Sequence, residues 1–167
     1  ILYYLGGVEN WLFPSYDDNV SVPTDYNFAY TALASSMRGF DYNARNGSSV
    51  VLTNLELRVP IFQYVSKQKI RSSFIRNIQL VGFVDAGTAW AGSDPFGTGN
   101  PLNTVVLTNP PTVEVIVNYY RNPLIVGYGF GARTLVFGYY LKLDYGWNWE
   151  TSTDTKPILH FSMGTDF

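Results

Sequence analysis

Between residues 139 and 148 the chain alternates without a break. Tyr139, Leu141, Leu143, Tyr145 and Trp147 fall on one parity, and Tyr140, Lys142, Asp144, Gly146 and Asn148 on the other. Successive side chains of a β-strand point to opposite faces, so an extended backbone sorts these residues into an apolar and a polar face, which a helix would not do. The pattern recurs. Over residues 51–61, Val51, Thr53, Leu55, Leu57, Val59 and Ile61 oppose Leu52, Asn54, Glu56 and Arg58. Over 78–90, Leu80, Val84 and Trp90 share a parity, while Gln79, Val81, Phe83, Asp85 and Gly87 share the other. Residues 124–135 set Leu124, Val126, Tyr128 and Phe130 against Gly127, Gly129, Gly131 and Arg133. Residues 159–167 set Leu159, Phe161, Met163, Thr165 and Phe167 against His160, Ser162, Gly164 and Asp166. With the apolar start at 1–5, the reading is six strands.

These segments are long. Strands of soluble proteins average about 5–6 residues, whereas a tilted strand needs about 9–11 to cross a bilayer. The second face collects glycine and charge, as a narrow polar lumen would, and not the apolar core of a sandwich. Aromatic residues make up 17% of the chain. A carbohydrate-binding sandwich could also carry that many, but here they gather toward segment ends (Trp90, Tyr139, Tyr140, Trp147, Trp149, Phe167), as interfacial girdles do. The most apolar stretch, 124–147, is interrupted by Arg133, Lys142 and Asp144, so no transmembrane helix is expected. The expected fold is all-β, an antiparallel transmembrane β-barrel wall.

The connections alternate in size. Residues 6–49 are very long, 62–77 are medium and basic (Lys67, Lys69, Arg71, Arg76), and 91–123 are long and rich in Gly, Asn and Pro. Residues 136–138 make a tight turn and 150–157 a moderate polar loop. Short turns are periplasmic and longer loops external in such barrels, so 6–49 reads as a lumen or outer loop and 91–123 as an outer loop. Six strands leave two unpaired edges, which hydrocarbon does not tolerate. The whole of 1–167 is therefore expected to be one piece of a larger barrel. The opening ILYYLGG lacks a basic leader and reads as a strand already in progress.

A net charge of -2 without a basic stripe gives no case for nucleic acid. The absence of Cys and the single His exclude thiolate and multi-histidine metal sites. His160, Ser162 and Asp144 share the inner parity, residue types from which a Ser-His-acid hydrolase is built. An outer-membrane lipase needs its nucleophile open to lipid, whereas these residues face the lumen, so they read as lumen polarity. GYGFG at 127–131 sits inside an alternating strand with no helix after it, which removes a nucleotide-loop reading. No catalytic residue, metal or cofactor is expected, and the chain does not read as an enzyme.

Several short segments carry a resemblance: Gly6-Gly7, Arg38-Gly39-Phe40, NLELRVP at 54–60, GFVDAGTAW at 82–90, and the ending HFSMGTDF. In this order they resemble the C-terminal part of the barrel of the BamA/TamA superfamily, the bacterial surface antigen family, over nearly the whole chain. The insertion of about 30 residues between Gly6-Gly7 and Arg38, with ENWLFP inside it, is similar to members from Bacteroidetes, some of which carry a β-propeller upstream. The resemblance implies a sixteen-stranded barrel of which these are the last six strands, in the bacterial outer membrane. It implies that the loop bearing Arg38 folds back into the lumen against Glu56 and Asp85. Gly39 would allow close approach, Phe40 would wedge the loop, and the glycines at 127, 129 and 131 would leave room for the tip. Phe161, Met163 and Phe167 would belong to the C-terminal sorting signal and closing seam, although Ser162 and Thr165 depart from the usual glycine and aromatic.

Two functions follow from the resemblance. The barrel assists insertion or export of outer-membrane or surface proteins through a lateral strand seam. Alternatively, it is a non-catalytic anchor that displays surface loops and holds an upstream domain or a partner lipoprotein. For the second, the aromatic insertion with Trp11, Phe13, Tyr16, Tyr26, Phe28 and Tyr30 is the candidate binding surface. Expected partners are membrane lipids, client proteins and lipoproteins.

Overall fold

The computed structural model describes residues 1–7, 9–18, 20, 22, 30–65, 72–96, 104–109, 113–118, 122–150 and 156–165. Its elements are β1 (Leu2–Gly6), β2 (Thr31–Ser36), β3 (Arg45–Gly47), β4 (Ser49–Val59), α1 (Ile61–Val65), α2 (Ser73–Arg76), β5 (Gln79–Trp90), β6 (Thr104–Asn109), β7 (Val113–Asn118), β8 (Ile125–Val136), β9 (Tyr139–Trp149) and β10 (Ile158–Gly164). Five of the six expected strands form one antiparallel sheet in the order β10-β9-β8-β5-β4.

Local chemistry sets the limits of these strands. Pro60 has no N–H to give a ladder, and β4 stops at Val59. The β8–β9 turn is two residues, Phe137 at φ 50° and Gly138 at φ +86°. That left-handed pair fits the twist of a hairpin, and glycine takes it at no steric cost.

Burial in the sheet is inverted relative to a soluble domain. Leu55 and Leu57 of β4 are 69% and 71% exposed. Val84, Tyr128, Phe130, Leu143, Leu159 and Met163 on the same face of the neighbouring strands are exposed as well. The opposite face is buried and polar: Asp85, Arg133, Asp144 and His160. In water such a surface would be unfavourable at about 25 cal/mol per Å2 of apolar area. Against lipid tails it carries no such cost, and it is the outer face of a membrane sheet. Tyr128, Phe130, Tyr145 and Trp147 pack together there, with ring centroids 5.0–6.2 Å apart. This aromatic cluster spans β8 and β9 and is not confined to the strand ends where the sequence reading put its girdles.

The first expected strand does form, but it does not join this sheet. β1 pairs parallel with β2 and antiparallel with β3 in a separate three-stranded sheet. Leu2 and Leu5 are both buried, so β1 offers no exposed apolar face. Apolar residues alone cannot tell a covered strand from a membrane-facing one. The wall is therefore five strands, with β1 to β3 laid over its inner face. Leu5, Met37, Phe40 and Ala44 pack there against Ala89 of β5 and Ile125 of β8, flanked by Val50 and Leu52. The two long connections also carry strands: β2 and β3 lie within 6–49, and the β6–β7 hairpin lies within 91–123.

Candidate functional site

Residues 37–44, between β2 and β3, turn back onto the inner face of the sheet. Met37 N donates to Gly6 O at 2.8 Å, which fixes the start of the turn against β1. Arg38 follows and points along the wall. Its backbone N donates to Asp85 Oδ2 at 3.0 Å, its Nε donates to the same oxygen at 2.7 Å, and its Nη2 donates to Asp85 Oδ1 at 2.6 Å. This is a side-on bidentate fork, the strongest arrangement available to a guanidinium and a carboxylate. Nη1 bonds Glu56 Oε1 and lies 3.8 Å from Asp144 Oδ2. The Phe83 ring lies under the guanidinium, 3.9 Å from centroid to Cζ, where its π-face favours the cation.

The network is larger than one arginine and two acids. Arg133 Nη1 and Nη2 donate to Asp144 Oδ1 and Oδ2 at 2.5 and 2.8 Å, and Nη2 also reaches Glu56 Oε1 at 3.3 Å. Arg58 donates from Nε to Glu56 Oε2 at 2.9 Å. Arg38, Arg58 and Arg133 thus meet Glu56, Asp85 and Asp144, three charges of each sign. Asp85 is fully buried and Arg38 is 7% exposed. Desolvation makes such a cluster tolerable only when it is balanced and hydrogen-bonded, as here, and makes the loss of any member costly.

Gly39 is the hinge of the tip. Its φ is +86°, and a Cβ there would collide with the Trp147 carbonyl. Its N–H donates to His160 Nε2 at 2.9 Å, and its carbonyl accepts from Asn148 Nδ2 at 2.9 Å. The tip is therefore tied to both β9 and β10. Gly127 clears the Arg38 carbonyl, and a Cβ on Gly146 would sit 2.9 Å from Gly39 N. Gly129 and Gly131 instead clear Tyr145 and Asp144. The tip thus rests on Gly127 and Gly146, and only the first of these belongs to the row expected to make room for it. Phe40 is buried in the cluster with Leu5, Met37 and Ile125.

The structure brings Arg38, Gly39, Phe40, Glu56 and Asp85 together. Phe161 is half-buried and Met163 exposed on β10, while Phe167 lies outside the described residues. Trp11, Phe13 and Tyr16 are exposed. Trp11 N donates to Phe161 O at 2.8 Å, on the edge of β10. Tyr16 stands beside Tyr42 at 5.6 Å, and Tyr42 stacks on Tyr4 at 5.3 Å. Tyr26, Phe28, Lys67, Lys69 and Arg71 also lie outside the described residues. For a hydrolase, His160 Nε2 is already held by Gly39 N–H, and both Asp144 oxygens are held by Arg133. Both residues are thus engaged by the tip network. Reasoning from the sequence missed Arg133, Asp144 and His160 as members of the tip site. Each falls on the inner parity of its strand, and the need to balance buried charge is the signal that could have joined Arg133 and Asp144 to the site.

A sheet that is apolar outside, charged inside and holds a loop by arginine defines the wall of a membrane β-barrel. No helix among the described residues is long and apolar enough to cross a membrane. A profile of the Omp85 superfamily domain matches residues 2–167, and the chain belongs to that superfamily. Its members are outer-membrane β-barrels of protein assembly and translocation. Neither the curated proteins nor the solved structures gave a significant match.

Proposed function

We propose that the chain is the C-terminal part of an assembly or translocation barrel, and that its work is done at a lateral seam bounded by β10. The observation that carries this reading is the position of β10. Among the described residues β10 is, with β4, an edge strand of the wall, and its inner residue His160 is tied to the arginine tip. Clients would be outer-membrane or surface proteins that offer a strand to that edge, so that main-chain hydrogen bonds supply affinity and alternate side chains supply selection. No covalent step is required. The tip network serves as a lumen latch that holds the wall near the seam in one register. The Bacteroidetes-like insertion at 8–37 and the sorting role of Phe161, Met163 and Phe167 belong to the same reading.

Crosslinking β10 of the intact protein to the strand that closes the barrel tests it. Loss of client assembly with the barrel still inserted is the expected result. Undiminished client assembly with the seam sealed overturns it.

One observation favours a second reading. Trp11, Leu12 and Phe13 are large, adjacent and exposed, as a docking surface for a partner lipoprotein would be. In that case the barrel is an anchor and scaffold. Replacing these residues would then release the partner while client assembly continues.

A further inference from the structure

Residues 61–78 join β4 to β5 and hold four basic residues, Lys67, Lys69, Arg71 and Arg76, with no Asp or Glu. The chain as a whole has a net charge of -2, so this positive excess is local. The connection leaves the wall after Val59 and rejoins it at Gln79. The strand register puts both points at the same end of the wall as the tight Phe137-Gly138 turn. Tight turns mark the periplasmic end of such barrels.

Two short helices lie in this connection. α1 packs beside β5, and α2 beside β8. α2 reaches the outward side of the wall. Thr134 Oγ1 is 3.5 Å from Phe74 O, and Thr134 has the outward parity of Tyr128 and Phe130. Phe74 and Ile75 of α2 are exposed, and so are Leu80 and Tyr139 on the outward faces of β5 and β9. A cavity of about 310 Å3 lies between α2 and the β8–β9 turn, walled chiefly by Phe74, Leu135, Val136 and Phe137. Arg76 ends α2 and is exposed. The strands beneath this surface, β5, β8 and β9, each have a wall neighbour on both sides.

We propose that α2 and the β8–β9 turn form a rim that seats in the adjoining phospholipid leaflet and prefers phospholipids with anionic headgroups. Continuity selects lipid as the partner. The apolar surface of the rim runs on from the lipid face of the wall through Leu80 and Tyr139, so one medium covers both. Charge selects the headgroup. A basic segment without acidic residues is drawn to an anionic membrane surface, and exposed apolar side chains beside it are the mark of an interfacial element. The cavity gives an acyl chain a place against Phe74 and Phe137. The rim thereby fixes the depth of the wall, because lifting it would carry Phe74 and Ile75 into water. The inference is independent of the seam.

The test uses the intact protein in vesicles of phosphatidylcholine with a minor fraction of phosphatidylglycerol. A fluorescent label is placed at position 72, just before α2, or at position 55 on the outward face of β4. Bromine on the acyl chains of one lipid or the other quenches a label that the lipid approaches. At position 72, brominated phosphatidylglycerol is expected to quench more than an equal fraction of brominated phosphatidylcholine. At position 55 the two should quench alike. Arg76→Gln should reduce the preference at position 72 about fivefold, the effect of one basic group near an anionic surface, and high salt should reduce it as well. Phe74→Ser should weaken quenching at position 72 by both lipids and leave position 55 unchanged, which also shows that the variant has inserted. Equal quenching by the two lipids at position 72, or a preference that survives both Arg76→Gln and high salt, overturns the headgroup preference. Quenching at position 55 with none at position 72 means that protein covers the rim, and overturns the proposal. No quenching at position 55 overturns the lipid-facing wall, and the rim with it.

Discussion

Arg38 is worth more to this chain than its one charge suggests. Its guanidinium and backbone N–H together make three hydrogen bonds to Asp85, and its Nη1 adds Glu56. Arg38→Ala leaves Asp85 buried without its partner, and the expected loss is about 3–5 kcal/mol of stability, read by thermal unfolding of the barrel. Arg38→Lys keeps the charge but has no planar fork, so it should recover only part of that loss. Phe40→Ala empties a site between Leu5, Met37 and Ile125 and should cost about 3–5 kcal/mol in the same measurement. Gly39→Ala acts through the backbone. The strain of a left-handed alanine is about 1–3 kcal/mol, and the collision with Trp147 should lift the tip, read as faster amide exchange at Gly39 and Arg38. These residues were legible in the sequence because Arg38-Gly39-Phe40 and the two acidic segments have specific neighbours. Arg133, Asp144 and His160 were not. Each is an ordinary polar residue on an inner parity, and only the cross-strand register brings Asp144 opposite both Gly131 and His160.

At the level of elements, alternation placed the wall strands well, since a strand at an apolar boundary has no other way to sort its side chains. It failed for β1 for the same reason. Leu5 packs against the wall with Ala89, and Leu2 is buried as well, so the strand carries no outward apolar stripe to recognise. The strands within the long connections were also missed, because 31–36 and 45–47 are too short and too polar to alternate visibly. The hairpin at Phe137-Gly138 offers a test at this scale. Gly138 has a φ of +86°, with nothing within 4 Å of a built Cβ. Gly138→Ala should therefore cost only its left-handed strain, about 1–2 kcal/mol, and refolding into vesicles should slow without changing the final fold. Phe137 is 98% exposed and makes no packing contribution of its own. Phe137→Ser should leave unfolding in detergent unchanged and weaken only vesicle binding.

For the whole molecule, the two faces of the wall must meet different surroundings. A charged substitution on a lipid face at the midplane costs about 2–4 kcal/mol, and far less near an interface or in a lumen. Leu55→Arg should therefore impair insertion much more than Asn54→Arg one residue away, as measured by folding yield in vesicles. The proposed seam draws on the same contrast, since the tip holds the inward face of β10 through His160 while Leu159 and Met163 are exposed on the other. The most direct measurement is a spin-label scan of β4 in the intact protein in lipid vesicles, from position 50 to position 57. Labels at 51, 53, 55 and 57 should be relaxed by oxygen dissolved in the hydrocarbon. Labels at 50, 52, 54 and 56 should be shielded from it, in strict alternation. Uniform accessibility, or the opposite phase with Glu56 facing lipid, would contradict the inverted sheet and everything built on it.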